Sequence, residues 1–236
     1  MRLVRVLLAT LCFCSVSFSI AGSLTITPVR LTLTAGRTAG VVTLINNGAE
    51  ATLVQLELVR WSQVDGAERL EPTRELLATP PIFTVPPGGS QVVRVGLRGP
   101  APASSHELSY RLLLQEVPSA TAGSSQGVRI ALNISMPVFV VPAMLQSSAP
   151  TLSWRARRID GGLLLRADND GPLHVQLTGL SLAGARPLAQ FQGAYVLPGA
   201  YREWKVSQDA APGTLLQWVA QTDAGELAGQ VLVPAP

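Results

Sequence analysis

The sequence alternates apolar and polar residues with a period of two over many short segments, the pattern of β-strands with one buried face. Turn signals such as Asn47-Gly48 and Asp160-Gly161-Gly162 separate these segments. No segment shows convincing helical periodicity, so we expect an all-β protein with only short helices. Strands are predicted at 24–27, 30–34, 41–48, 53–61, 82–85, 91–97, 108–117 and 127–141, and then at 151–157, 163–169, 174–182, 201–206, 215–222 and 227–233.

The predicted strands form two groups, separated by residues 143–150, where the apolar pattern stops. Seven or so strands in residues 22–142 are typical of an immunoglobulin-like β-sandwich, and residues 151–236 predict a smaller second one. The linker at 143–150 would join the two domains. A length of 236 residues with 47 % hydrophobic residues allows two cores and excludes a disordered chain.

Residues 1–21 have the pattern of a secretory signal peptide. Arg2 and Arg5 precede an apolar stretch that is short for a membrane span, and small residues stand at the cleavage positions before Gly22. An uncleaved membrane anchor is the alternative. Cleavage would remove both cysteines, leaving no disulfide. Cleavage would also remove two arginines, so that 16 basic and 15 acidic residues remain and the net charge falls from +3 to +1.

Composition and motifs argue against several classes of function. The sequence has no basic cluster interleaved with aromatic residues, which is the pattern that would indicate nucleic-acid binding. His106 and His174 are the only histidines, and no hydrolase, zinc-protease or phosphate-loop motif occurs. We therefore expect a protein-binding protein with no catalytic residues, no metal, no cofactor and no small-molecule substrate.

The segment 128–140 differs from the other predicted strands in its length. Its apolar residues alternate without interruption over more residues than the usual strand of about five or six. An ordinary core strand is one explanation. The other is a strand whose surplus apolar side chains bind a partner by strand addition at a sheet edge. The residues on the apolar face are Val128, Ile130, Leu132, Ile134, Met136, Val138 and Val140.

Four segments resemble the periplasmic pilus chaperones of the chaperone–usher pathway, the PapD-like family. The resemblance implies two immunoglobulin-like β-sandwich domains in an L-shaped arrangement and a location in the periplasm. It also implies two partners: a pilus or coat subunit with an incomplete immunoglobulin-like fold, and an outer-membrane usher. The segments are Ala-Thr-Pro-Pro-Ile-Phe-Thr-Val-Pro-Pro-Gly-Gly-Ser-Gln-Val-Val-Arg-Val at 78–95, Tyr-Arg-Leu-Leu-Leu-Gln-Glu-Val-Pro at 110–118, Asn-Asp-Gly-Pro-Leu-His at 169–174 and Val-Leu-Pro-Gly-Ala-Tyr-Arg-Glu-Trp at 196–204.

The resemblance also implies roles for individual residues. Val128, Ile130, Leu132 and Ile134 would be inserted into the groove of the subunit, in place of the strand that the subunit lacks. Arg30 would bind the subunit's C-terminal carboxylate, for which a guanidinium is well suited. A solvated strand arginine is the alternative for Arg30.

One position departs from the family's usual pattern. Family members usually have a second anchoring base, a lysine, where this chain has Pro137, and residues 135–142 contain no base. Arg111 and Arg94 are candidates to replace it, and either could equally be a structural surface arginine. The sequence Met-Pro-Val-Phe-Val at 136–140 resembles the archaic or alternative branch of the family more closely.

A two-sandwich structural or adhesive surface protein is the alternative function. A fibre subunit would usually have one sandwich and an N-terminal extension that acts as a donor strand. In this chain the first predicted strand begins within a few residues of Gly22 and a second domain follows. Both features favour the chaperone.

Overall fold

The structure is a computed structural model that describes residues 24–101, 103–118, 131–182, 194–207 and 210–234. These residues form β-strands and one short 3₁₀ helix, Ala143–Leu145, so the predicted all-β fold is confirmed. No helix in these ranges has both the length and the apolar composition needed to cross a membrane.

The first sandwich has its core between two sheets. A four-stranded sheet has the order β1-β3-β8-β6 and faces a six-stranded sheet of order β2-β10-β9-β4-β5, in which β7 also pairs with β4. The strands are β1 (Leu24–Thr27), β2 (Leu31–Thr34), β3 (Ala39–Asn46), β4 (Thr52–Val64), β5 (Ala67–Pro72), β6 (Leu76–Thr79), β7 (Ile82–Val85), β8 (Ser90–Leu97), β9 (Leu108–Glu116) and β10 (Asn133–Val141).

The second sandwich is smaller and has its own core. A three-stranded sheet, β11-β12-β15, faces a four-stranded sheet, β14-β13-β16-β17. Its buried residues include Leu165, Leu177 and Val231. The strands are β11 (Ser153–Ile159), β12 (Gly162–Asp168), β13 (Val175–Leu182), β14 (Ala194–Val196), β15 (Tyr201–Val206), β16 (Leu215–Thr222) and β17 (Gly225–Leu232).

Strand β10 has two different edges. It pairs with β9 along almost its whole length, from Asn133 to Val140. On the other edge, β2 pairs with it in parallel over Val138–Val141. In the described part of the chain, no strand pairs with this edge between Asn133 and Pro137. The backbone groups on that stretch are therefore available for an additional strand.

Three short strands were not predicted from the sequence. Strand β5 is exposed throughout and largely charged, so it lacks the apolar alternation that marks a half-buried strand. It follows β4 through a two-residue turn, Asp65-Gly66, in which both residues have positive φ (52° and 75°). This is the turn type that suits the twist of a hairpin. Strands β6 and β14, of four and three residues, are too short to show a period.

Candidate functional site

An aromatic cluster joins the two sandwiches. Trp61 from β4, Phe139 from β10 and Tyr195 from β14 are buried together, with Leu197 and Ala200 beside them. The ring centroids of Trp61 and Tyr195 are 5.3 Å apart at an interplanar angle of 82°, an edge-to-face contact. Phe139 lies 5.9 Å from Tyr195. The cluster is an aromatic floor at the junction of the two sandwiches, and we call this junction, with the charged residues around it, the interdomain cleft.

Arg111 lies on this aromatic floor. Its neighbours on β9, Tyr110 and Leu112, point into the core of the first sandwich, so Arg111 points outward. Its guanidinium carbon is 3.6 Å from the centroid of the Trp61 ring, a cation–π contact. The side chain is only 12 % exposed, with Nη2 3.7 Å from Glu68 Oε1.

The Arg111 cation is held in place but not fully paired. Its Nε is buried without a hydrogen-bond partner in the described residues. Burial lowers the pKa of Arg111, and the nearby Glu68 carboxylate opposes this shift. The guanidinium stays charged because the pKa of arginine is far above neutrality. A buried cation with an unused donor has the chemistry of an anion site.

Arg30 reaches the same cleft from the other side of β10. The parallel pairing of β2 with β10 begins with Leu31 opposite Val138. One residue earlier, the same register brings Arg30 beside Pro137. On β9, the residue directly opposite Pro137 is Arg111. The position at which the resemblance implies a lysine is therefore occupied by a proline, with an arginine from the neighbouring chain segment on each side of it.

Arg30 pairs with a carboxylate from the second sandwich. Its Nη1 donates to Oδ2 of Asp223, which lies in the turn between β16 and β17. Burial opposes the charge on Arg30, but the bond to Asp223 outweighs it and raises the pKa of the guanidinium. Burial likewise opposes the charge on Asp223, yet His174 and Arg30 together hold the pKa of this carboxyl well below its usual range.

His174 continues this chain of charges across the cleft. Its Nδ1 is 2.7 Å from Oε1 of the buried Glu107, and its Nε2 is 3.8 Å from Oδ2 of Asp223. The imidazole stacks on Phe139 with centroids 3.7 Å apart and an interplanar angle of 7°. Burial opposes protonation, but Asp223 and Glu107 raise the pKa of His174 above its ordinary value. No group of His, Cys, Asp or Glu in the described ranges is suited to hold a metal ion.

Further hydrogen bonds fix the two sandwiches to each other. The Gln63 side chain donates to the carbonyl oxygen of Tyr195 at 2.9 Å and accepts from the Leu197 N–H at 3.0 Å. Arg202 Nη2 donates to Glu68 Oε1 at 2.8 Å. These bonds hold residues of both sandwiches together beside the aromatic cluster.

The other predicted site residues lie in different places. Leu132 precedes β10, and its backbone N–H donates to the Glu116 carboxylate at 3.1 Å. Ile134 is partly buried against the core of the first sandwich. Arg94 is exposed on β8, pointing away from the core on the outer face of the four-stranded sheet, and is not part of the cleft. Val128 and Ile130 lie outside the described residues.

The cleft residues that sequence reasoning missed come mostly from the second sandwich. No sequence pattern indicated a role in binding for Trp61, Glu107, Tyr195 or Asp223, and His174 lay in no catalytic or metal-binding motif. His174 lies within the segment 169–174 that resembles the family, and this was the only signal pointing towards it.

Comparisons with known proteins agree with this architecture. Residues 23–146 match the family model described as pili and flagellar-assembly chaperone, PapD N-terminal domain, and residues 147–229 match pili assembly chaperone PapD, C-terminal domain. A comparison with curated proteins found no match.

Solved structures of two-domain chaperones have the same fold. The CsuC–CsuE chaperone–tip adhesion subunit pre-assembly complex, from archaic chaperone-usher Csu pili of Acinetobacter baumannii, matches at 20 % identity and a TM-score of 0.70, covering 91 % of this chain and 100 % of that one. The E. coli chaperone DraB matches at 20 % identity and a TM-score of 0.63, covering 90 % and 97 %. The complex of the Salmonella enterica SafA pilin with the SafB chaperone matches at 19 % identity and a TM-score of 0.63, covering 89 % and 96 %. Because the two family models together span nearly the whole described chain, this protein belongs to the family of pilus-assembly chaperones typified by PapD.

Proposed function

We propose that this protein is a periplasmic chaperone that binds pilus or coat subunits by strand donation and delivers them to an outer-membrane usher. The observation that carries the proposal is the open edge of β10 between Asn133 and Pro137, which ends beside Arg30. A subunit with an incomplete immunoglobulin-like fold would pair its exposed strand with this edge.

The direction of the added strand follows from the charges at the end of the open edge. Strand β2 is parallel to β10 and occupies the continuation of the same edge. A strand added in parallel would therefore end where β2 begins, with its C-terminal carboxylate beside Arg30. An antiparallel strand would place its N-terminus, or a continuing chain, next to this cation. Electrostatics thus favour the parallel direction and a strand that ends the subunit chain.

Arg30 and Arg111 would bind that carboxylate together. They flank Pro137 on its two sides. Both lie near Tyr195, and the positive charge of each opposes the rise in the pKa of the Tyr195 phenol that burial causes. A guanidinium can donate two parallel hydrogen bonds to one carboxylate, and the unused Nε of Arg111 is such a donor. We propose Arg111 rather than Arg94 as the second anchor, because Arg94 lies on the opposite outer face.

The apolar residues before and within β10 would fill the subunit groove. Val128, Ile130, Leu132 and Ile134 are the proposed inserted residues, each contributing about 1.5–3 kcal/mol before the costs of association. The chaperones CsuC and SafB were solved as complexes with the subunits CsuE and SafA, which supports this kind of partner. No step of this function involves catalysis, and we propose that the protein is not an enzyme.

We further propose that residues 1–21 are a cleaved signal peptide that directs the protein to the periplasm. Residues 22–142 would form the domain that carries the donor strand, with 143–150 as linker and 151–236 as second domain. The basic start, apolar stretch and small residues at the cut site support the signal peptide.

The test measures whether the subunit accumulates in soluble form in the periplasm. A candidate subunit gene from the same genomic neighbourhood is co-expressed with this protein, and soluble subunit is quantified in the periplasmic fraction. Leu132→Asp with Ile134→Asp is expected to abolish accumulation of soluble subunit. Because Ile134 also packs against the core of the first sandwich, urea unfolding of the purified variant must show that it is folded. Leu232→Asp, on the exposed face of β17, is the matched control and should behave as wild type. Equal accumulation of subunit without any chaperone would refute the proposal.

A further inference from the structure

The cation proposed to bind the subunit's carboxylate is already bound to one. Arg30, from the first sandwich, donates to Oδ2 of Asp223 from the second sandwich. Asp223 is tied to its own sandwich through Oδ1, which accepts from the Gln176 N–H at 3.3 Å. An incoming carboxylate would therefore compete with Asp223 for the same donor.

His174 provides a second partner for Asp223. Its ring is fixed by Glu107 on Nδ1 and by stacking on Phe139. Its Nε2 is buried without a hydrogen-bond partner among the described residues, and it points at Asp223 Oδ2 from 3.8 Å. When the imidazole is protonated, Nε2 carries a hydrogen, and a buried donor left unpaired costs free energy. A shift of about 1 Å would bring Asp223 within the usual hydrogen-bond distance of His174.

We infer that Asp223 is an internal substitute for the subunit's carboxylate. In the free protein it occupies Arg30, and when a subunit carboxylate enters between Arg30 and Arg111, Asp223 moves to His174. This inference rests on the proposed function, because it assigns a step to the same anchoring site. Arg30 and Asp223 each keep a partner in this exchange, because Arg30 exchanges one carboxylate for another while Asp223 pairs with protonated His174.

The exchange has a consequence for selectivity. A single carboxylate from solution must displace Asp223 and gains little in return. A subunit also adds a β-strand and apolar side chains at the open edge of β10, so it can meet this cost. If Asp223 occupies Arg30 about nine tenths of the time, the apparent dissociation constant for any other carboxylate rises about tenfold. Asp223 would thus select for partners that bind both Arg30 and the open edge of β10.

The test uses acetate as a minimal carboxylate, with acetamide as its uncharged control. Acetate is titrated into the ¹⁵N-labelled protein in a chloride-free buffer, and the Nε–H signal of Arg30 is followed by NMR. Asp223→Asn keeps the size of the side chain but removes its charge. We expect this variant to bind acetate about tenfold more tightly than wild type. Unchanged or weaker binding by folded Asp223→Asn would overturn the inference.

A second variant tests the exchange independently. His174→Gln keeps a donor for Glu107 but lacks the charge that receives Asp223. Asp223 should then stay on Arg30, and acetate should bind more weakly than to wild type. Acetate binding at wild-type strength would refute the transfer of Asp223 to His174. If Asp223→Asn does not fold, the result with His174→Gln decides whether the inference holds. The assay needs no subunit. The expected acetate results together with a failure of subunit capture would therefore disprove the proposed function, and with it the role of Asp223 towards a subunit, while the exchange of carboxylates at Arg30 would still hold.

Discussion

Replacing Arg111 tests the geometry of the anchoring site most directly. We choose Arg111→Met, because methionine is long and unbranched and can keep a favourable contact with the Trp61 ring while losing the charge. Strand β9 is paired on both sides, by β10 and β4, so the backbone at this position is well supported. Glu68 loses one cationic neighbour but keeps its 2.8 Å bond to Arg202.

The expected loss of binding can be worked out from the contacts. A hydrogen bond to a charged group contributes about 1.5–3 kcal/mol, which corresponds to roughly 10- to 150-fold in the dissociation constant. The effect on stability should go the other way. Arg111 is a buried, incompletely paired cation, so replacing it with an apolar side chain removes a desolvation cost. We expect binding to fall while the free energy of unfolding is unchanged or higher.

The assay is calorimetric or competitive binding of a purified subunit, combined with urea unfolding of the free chaperone. Arg94→Met is the matched control, because it removes the same group from the exposed face of β8. Two outcomes would refute the assignment: full-strength subunit binding by Arg111→Met, or an equal loss in Arg94→Met. A subunit whose C-terminus is amidated should bind wild type and Arg111→Met about equally, since the group that Arg111 contacts has lost its charge.

Three further predictions follow from the cleft. Arg30→Ala should weaken subunit binding in the same assay, but less than Arg111→Met, because Arg30 must first give up its bond to Asp223. Adding Pro137→Lys to Arg111→Met should restore part of the lost binding, since it returns a cation to the position between the two strands, and no gain would contradict this placement of the site. The pKa of His174 is raised in the folded protein, where two carboxylates outweigh the effect of burial. Protonated His174 therefore stabilises the fold fully below its unfolded pKa of about 6.5, and this stabilisation is lost as the pH rises through the folded pKa. In urea unfolding, the free energy of unfolding of the wild type should fall on the alkaline side of this range, and that of His174→Gln should not.

The sequence predicted most of the strands that have a buried and a solvated face, and it missed β5, which has no buried face. Strand β4 alternates buried and exposed residues over Val54–Leu58, and its period was evident from the sequence alone. Strand β5 is exposed on both faces, because only one of its edges is paired and no layer covers it. Its hairpin turn, Asp65-Gly66, was the one local signal available. Period-based prediction depends on burial, and it fails where a strand buries nothing.

The contact between Arg111 and the Pro137 position shows a second limit. Both residues were identified from the sequence, one as a departure from the family and the other as a candidate to replace the missing base. Their position opposite each other was not predictable, because a tight turn fixes the register of a hairpin and a long connection does not. Strands β9 and β10 are joined by the residues 117–132, so only the structure shows that these two residues are paired.

The remaining half of the cleft depends on how the sandwiches dock, which no local pattern encodes. Asp223 is 193 residues from Arg30 in the sequence and belongs to the turn between β16 and β17, where no local pattern marks it as a partner of Arg30. Its role arises only because the aromatic floor and the Gln63 hydrogen bonds set the second sandwich at one position against the first. In the proposed function, the first sandwich would therefore supply the donor strand and both anchoring cations, while the second supplies the counter-charge of Asp223 and part of the aromatic floor. A binding site divided in this way would explain why the chain needs two domains to hold a partner whose strand, as proposed, pairs with only one of them.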